Sequence, residues 1–240
     1  MKKLFKTVLS LVFPPRCSAC REILPYYDDS VLCRSCAEKW DNERKAYCKV
    51  CRKRVSECTC IPENATRTIK KLISVSAYTA EDSVTDRLVL AAKDIKDRKL
   101  FKFMSDEMVG AAYAELPSVE DISVTFVPRS RARRNEAGHD QSELLARMVA
   151  NELGTSALSL LKKKKSEQQK KLRAAEREYS AKHSYILKDG AKDLVKDKTV
   201  LLIDDVVTTG ASLSACDEIL KQAGAMEIYA LTFAKTVKRK

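Results

Sequence analysis

The segment Thr199-Val200-Leu201-Leu202-Ile203 is β-branched or aliphatic at every position, with no polar alternation, and two aspartates, Asp204 and Asp205, follow it without a break. Such a run belongs in a strand covered on both faces, the usual state of a parallel sheet. A strand with no solvent face needs helices on either side, which restricts the chain to an α/β layout. In open α/β sheets ligands bind beyond the carboxyl ends of the strands, so Asp204 and Asp205 are expected at a pocket. Their carboxylates suit hydroxyls or a metal ion.

Thr208, Thr209, Gly210 and Ala211 come next, small residues whose backbone N–H groups and hydroxyls can close around a phosphate, with Gly210 tolerating positive φ. From Ser212 the apolar spacing turns helical: Leu213, Cys216, Ile219, Leu220 and Ala223 share a face, and Gly224 follows as a stop. A phosphate held by this loop would sit on a helix N-terminus, where unpaired N–H groups and the macrodipole favour an anion. Ile228 to Phe233 supplies the returning strand of a βαβ unit. No lysine stands where a Walker loop requires one, which weighs against a nucleoside triphosphate. A buried strand that ends in two solvated aspartates is the plainer alternative.

Upstream, the spacing predicts a strand near Leu72 to Tyr78, helix from about Glu81 to Glu115 with a break near Asp97, a strand at Val124 to Val127, and a helix near Gln141 to Leu153. Strands alternating with helices imply a mainly parallel sheet with helices on both faces.

Eight of the nine cysteines lie between Cys17 and Cys60, as Cys17-x-x-Cys20, Cys33-x-x-Cys36, Cys48-x-x-Cys51 and Cys58-x-Cys60. Two such pairs supply the four thiolates of a closed tetrahedral zinc site, so one or two structural Zn²⁺ ions are expected. Cys58-Thr59-Cys60 is tighter than the usual knuckle. Ligands paired in sequence, Cys17 to Cys36 and Cys48 to Cys60, and ligands interleaved give the same sequence signal. A disulfide framework belongs to secreted chains and no export signal is evident; a redox-active Cys-x-x-Cys normally opens a helix in a different setting. The region has too little apolar material to fold on burial alone, so zinc would hold it together. A polar linker, Ile61 to Lys71, separates it from the α/β part of the chain. Cys216 falls on an apolar helix face and reads as core; both histidines are left unassigned, with the edge of the pocket the one place open to His139 and no partner for His183 evident in the sequence.

Met1 to Phe13 puts Leu4, Phe5, Val8, Leu9 and Val12 on one face, an amphipathic helix ending at Pro14-Pro15. Lys6 interrupts it and no small-residue cleavage site follows, unlike a signal peptide. Packing against the protein is expected, with membrane-surface contact as the alternative. No apolar run reaches bilayer-spanning length, and the protein is expected to be cytoplasmic. Net charge is +12, concentrated in the N-terminal region, Arg129 to Arg134 and Lys162 to Arg177. Basic clusters invite nucleic acid, a membrane surface or a phosphorylated ligand; a solvated face competes, above all for Lys162 to Lys165. The segments expected are a helix over 1–16, a cysteine-rich module over 17–61 and an α/β domain over 72–240.

The apolar strand, acidic pair and Thr208-Thr209-Gly210 loop resemble the type I phosphoribosyltransferases, which bind 5-phosphoribosyl-1-pyrophosphate (PRPP) with Mg²⁺. Over nearly its whole length the chain is similar to the competence-associated ComF family, which joins a double zinc ribbon to a phosphoribosyltransferase fold. Val127-Pro128 with its basic continuation, then Gly138, Gln141 and the helix from Ser142, looks like the pyrophosphate loop and Arg-Gly-Phe-Asn-Gln motif of that family. Ala137, His139 and Asp140 depart from the motif. Ser166, Gln169, Leu172, Glu176 and Arg177 keep the spacing of a further family segment, and Lys93 keeps the lysine of Leu-Lys-Tyr-x-Gly.

The resemblance implies that Thr208, Thr209, Gly210, Ala211 and Ser212 hold the 5-phosphate, Asp204 and Asp205 the ribose hydroxyls directly or through Mg²⁺, and Arg129 and Lys93 the pyrophosphate. The basic segment around Lys165 occupies the place of a loop that closes over the ligand. Two functions follow from the resemblance: a PRPP-binding competence protein that supports DNA uptake and single-stranded DNA handling beside a helicase partner, or an active transferase joining PRPP to a nucleobase or other nitrogen acceptor. No N-terminal nucleophilic cysteine or glutaminase-sized domain supports glutamine-dependent transfer.

Overall fold

The computed structural model describes residues 14–25, 29–45, 55, 68–79, 81–94, 97–130, 138–164 and 184–236. The expected N-terminal helix, the cysteines at 48, 51, 58 and 60, most of the basic segment after Arg129, the 165–183 segment with His183, and the linker up to residue 67 lie outside them.

Six strands and six helices are described: α1 (Arg34–Arg44), β1 (Lys71–Tyr78), α2 (Val84–Asp94), α3 (Arg98–Glu115), β2 (Ile122–Phe126), α4 (Gln141–Glu152), β3 (Leu161–Lys163), β4 (Tyr185–Leu187), α5 (Ala191–Val195), β5 (Thr199–Val207), α6 (Ala211–Gln222) and β6 (Glu227–Thr236). Four of the strands form one sheet in the order β1-β6-β5-β2, parallel at every pairing, while β3 and β4 make a separate antiparallel pair. The mainly parallel α/β sheet expected from the sequence is therefore present.

The unalternated run does what its composition demands. Val200, Leu201, Leu202 and Ile203 are all fully buried, and successive residues point into opposite cores. Leu201 and Ile203 join Leu231 and Phe233 of β6 under α2, α3 and α4, whereas Val200 and Leu202 join Ile228 and Ala230 under α5 and α6. Each such side chain contributes about 1.5–3 kcal/mol by leaving water, which makes β5 the axis of both cores. In the middle of the sheet the Ser74 and Thr232 hydroxyls satisfy each other at 2.8 Å.

The break expected near Asp97 separates α2 from α3, and the Asp97 side chain accepts from Lys99 N to begin α3. One boundary differs. Pairing continues past Ile203, through Asp204↔Thr232 to Val207↔Lys235, so both aspartates lie inside the last turns of β5 and not after it.

The described part of the cysteine-rich region is not a separate body. Cys17, Leu24, Leu32, Cys33, Cys36 and Trp40 belong to the same buried cluster as α2, α3 and β6. Trp40 stacks on Phe233 at 5.3 Å with an interplanar angle of 5° and meets Phe103 edge-on at 5.6 Å. The Glu43 carboxylate, at the end of α1, accepts from Val84 N at 2.8 Å, Thr85 N at 2.9 Å and the Thr85 hydroxyl at 2.8 Å. It thereby caps α2, whose first-turn N–H groups have no intrahelical partner.

Candidate functional site

Among the described residues, four cysteines converge. The Sγ atoms of Cys17, Cys20, Cys33 and Cys36 all lie within 4.8 Å of one another, with Cys20 and Cys33 at 3.6 Å. Bonds of about 2.3 Å in a tetrahedral Cys₄ site place sulfurs about 3.8 Å apart, so this donor set fits zinc. The first pair sits on a tight knuckle in which Cys17 N donates to Glu22 O and Arg21 takes φ +66°; the second opens α1, with Cys33 at its N-cap. Burial raises the Cys17 thiol, but backbone N–H groups of Cys20, Cys33 and Ala19 outweigh it and bring the group to about 7. Burial pushes Cys33 up to about 11 and Cys36 higher still, each with further upward push from neighbouring side chains. Four sulfurs so close do not all ionise without a cation between them.

The second site is a cavity of about 810 Å³ at the carboxyl end of the sheet, walled by Lys93, Arg129, Asp204, Asp205, Thr208 and Ser212 among others. A smaller cup of about 50 Å³ opens beside it, formed by Asp204 and residues 206–213, including Thr209, Gly210 and Ala211. Lys93, Arg129, Asp204, Asp205 and residues 208–212, all expected in the pocket from the sequence, line one or the other. Gly210, at φ +76°, is the N-cap of α6, and its left-handed conformation turns the chain from β5 into the helix.

Arg129 Nη2 donates to Asp205 Oδ2 at 2.6 Å, across a pair that is mostly shielded from solvent. Asp204 Oδ1 accepts from the Ser142 hydroxyl at 2.8 Å and from Asp205 N at 3.0 Å. Burial, then the adjacent Asp205 charge, raises the Asp204 carboxyl well above its ordinary range. The two carboxylates are thus unlike: one is matched to a cation, the other is hydrogen-bonded and reluctant to ionise.

The segment that departs from the family motif has defined work. The Asp140 carboxylate accepts from Arg129 N at 2.8 Å and from Glu143 N at 3.4 Å, capping α4 while fixing the backbone that carries Arg129. Gln141 Nε2 donates to Ala92 O at 3.2 Å and Lys93 O at 3.4 Å, tying the start of α4 to the end of α2. His139 does not edge the pocket. It is buried edge-on against Phe101, with Nε2 3.1 Å from Ala92 O, because the turn into α4 directs its ring inward. Cys216 is fully buried, as expected of a core residue.

Residues that the sequence did not assign to the pocket complete the cavity. Tyr78 ends β1, and Lys163 and Tyr185 come from the β3–β4 pair. Tyr185 OH donates to Ser212 Oγ at 3.1 Å and lies 3.3 Å from Lys163 Nζ, while Ser142 supports Asp204. Lys163 belongs to the basic run already noted, whereas nothing in the local spacing marks Tyr78 or Tyr185. Among the described residues no helix is long and apolar enough to cross a membrane.

Known proteins bear on both sites. Residues 139–240 match the phosphoribosyl transferase domain family and residues 8–65 the double zinc ribbon domain family. Competence protein ComFC of Streptococcus pneumoniae is 26% identical over 206 residues, 84% of this chain and 86% of that protein. An adenine phosphoribosyltransferase of Mycobacterium marinum is 34% identical over 85 residues, 35% of this chain and 45% of that enzyme. A solved structure described as the allosteric regulatory enzyme of purine biosynthesis aligns with 55% of this chain and 25% of its own at 22% identity and a TM-score of 0.38. With a double zinc ribbon ahead of a phosphoribosyl transferase domain, and a ComFC relative that aligns with 84% of this chain, the chain is consistent with the ComF family.

Proposed function

We propose that this chain binds PRPP and serves as a competence protein, supporting DNA uptake and the handling of single-stranded DNA in natural transformation from the cytoplasm. The observation that carries the first part is that the Asp204–Asp205 pair and the N-terminus of α6 open on one cavity with Arg129 across from them. In this reading the cup of Thr208, Thr209, Gly210, Ala211 and Ser212 takes the 5-phosphate, Asp204 and Asp205 take the ribose hydroxyls, and Arg129 and Lys93 take the pyrophosphate. Arg129 then exchanges one anionic partner, Asp205, for another, so the desolvation cost of a buried guanidinium is already met before the ligand arrives. The oxygen donors of the two aspartates also fit Mg²⁺, which would neutralise pyrophosphate charge when bound.

The competence role is supported by the ComFC relative, and an affinity for single-stranded DNA or a helicase partner by the net charge of +12. A second reading, active transfer of the phosphoribosyl group to a nucleobase, is favoured by the adenine phosphoribosyltransferase relative and by a cavity roomy enough to hold an acceptor beside PRPP.

The test is calorimetric binding of PRPP with Mg²⁺, followed by pyrophosphate release against a panel of nucleobases, with Asp205→Asn as control. Binding that disappears in the variant while zinc content holds supports the site; wild-type binding retained by the variant defeats it. Release dependent on one base selects the transferase reading. For the DNA role, affinity must fall steeply with salt and with neutralisation of Lys162 to Lys165.

A further inference from the structure

The β3–β4 pair lies outside the sheet, yet it reaches the mouth of the cup, where the hydrogen-bonding direction of its side chains can be worked out. Lys163 Nζ lies 3.3 Å from Tyr185 OH and 5.0 Å from the centre of the Tyr185 ring, so the ammonium is held by both the hydroxyl and the π face. An ammonium only donates, so the Tyr185 oxygen accepts from it. Tyr185 therefore passes its own proton on, to Ser212 Oγ at 3.1 Å. Burial keeps the Tyr185 phenol protonated, with its titration pushed far above the ordinary range. Ser212 Oγ is thereby committed as an acceptor towards Tyr185, and its own hydrogen is directed elsewhere. Ser212 belongs to both the cavity and the cup, in the first turn of α6, where backbone N–H groups are also donors. Lys163, Ser212 and the first-turn N–H groups of α6 consequently all offer protons here.

We propose that Lys163, seated on Tyr185 and acting beside Ser212, is the cationic binding residue for the 5-phosphate end of the ligand, and that Tyr185 is the positioning residue that sets Ser212 as a donor. The inference rests on the PRPP reading of the site and adds to it a counter-charge that the Thr208–Ser212 loop itself lacks. Such a wall accepts a group made only of acceptor oxygens, a phosphate dianion, and disfavours a hydroxyl or amine in the same place. Arg129 is paired with Asp205 while Lys163 is linked through Tyr185 to Ser212, so in this reading the two anionic ends of PRPP meet different cations.

Two probes separate the ends: ribose 5-phosphate and inorganic pyrophosphate, titrated into the full chain by calorimetry. Lys163→Met is expected to weaken ribose 5-phosphate about tenfold and to leave pyrophosphate within about twofold, the loss appropriate to one charge-assisted contact. Lys163→Arg should recover most of the affinity. Tyr185→Phe keeps the ring under Lys163 but removes the hydroxyl that accepts from Lys163 and donates to Ser212, so a smaller loss, about threefold, is expected for ribose 5-phosphate alone. Unchanged zinc content and unfolding midpoint in each variant exclude a folding defect. Equal losses for both probes, or none for ribose 5-phosphate in Lys163→Met, overturn the proposal while the PRPP reading stands; a wild-type chain that binds neither probe nor PRPP overturns both.

Discussion

The cysteine cluster and the cavity are built in opposite ways. The cluster takes all four ligands from one short stretch, Cys17 to Cys36, but its apolar support comes from the neighbouring domain through Trp40, Phe103 and Phe233. The cavity takes its walls from positions as far apart as Tyr78 and Ser212, yet the sheet beneath it is its own. A metal site can thus be complete in its ligands and incomplete in its core, while a binding site can be scattered along the chain and still be rigid. The practical difference is the direction in which damage spreads: outward from the cluster into the shared core, and hardly at all from the cavity back to the cysteines.

The largest expected effect is that of zinc loss. Stripping the ion, or Cys36→Ser, should lower the unfolding midpoint by on the order of 10 °C or more, because the free energy of structural zinc binding is folding free energy. Hydrogen exchange should also accelerate in β1 and α2. Exchange confined to the cysteine-rich region would show that the cores are separable after all.

Trp40→Ala comes second, removing a ring that is 3% exposed and stacked on β6. Denaturant titration should show a loss of about 3–5 kcal/mol with zinc content unchanged. A loss below about 1 kcal/mol, typical of an ordinary surface substitution, would mean that the stack is incidental.

Glu43→Ala is the finest probe, since it deletes the long-range cap on α2 and leaves the local one, Ser83 Oγ accepting from Asp86 N, in place. A cost of about 1–2 kcal/mol is expected, with the zinc site intact. Glu43→Gln should recover part of it, because an amide oxygen still accepts from Val84 N and Thr85 N but carries no charge for the helix dipole. Equal stability of all three chains would sever the connection.

What was legible in the sequence was whatever rests on contiguous chemistry. The unbroken apolar run of β5, the acidic pair and the small-residue turn each state their surroundings locally, as do the first two Cys-x-x-Cys pairs. Asp97 could be placed at a helix break for the same reason. Relationships made across long separations left no local trace. Glu43 caps a helix 41 residues away, Ser142 reaches Asp204 from 62 away, and Tyr185 meets Ser212 from a three-residue strand too short for any periodicity. His139 could not be assigned because motif position indicates which turn a residue occupies, while the side its ring takes is decided by packing, here by Phe101. The extent of β5 was underread because Asp204 and Asp205 look like the end of a strand to any rule based on hydropathy, whereas the backbone pairing with β6 ignores side-chain polarity.

Glu43 has one more implication, for inheritance. Glu43, within the stretch that matches the double zinc ribbon, caps the opening turn of α2, a helix packed on the parallel sheet. The two halves therefore cannot be exchanged between relatives as finished cassettes. A graft that brings in a ribbon without an acceptor at this position leaves Val84 and Thr85 with unmet donors, and the helix then keeps only its local cap, the Ser83 hydroxyl that accepts from Asp86 N at 3.1 Å.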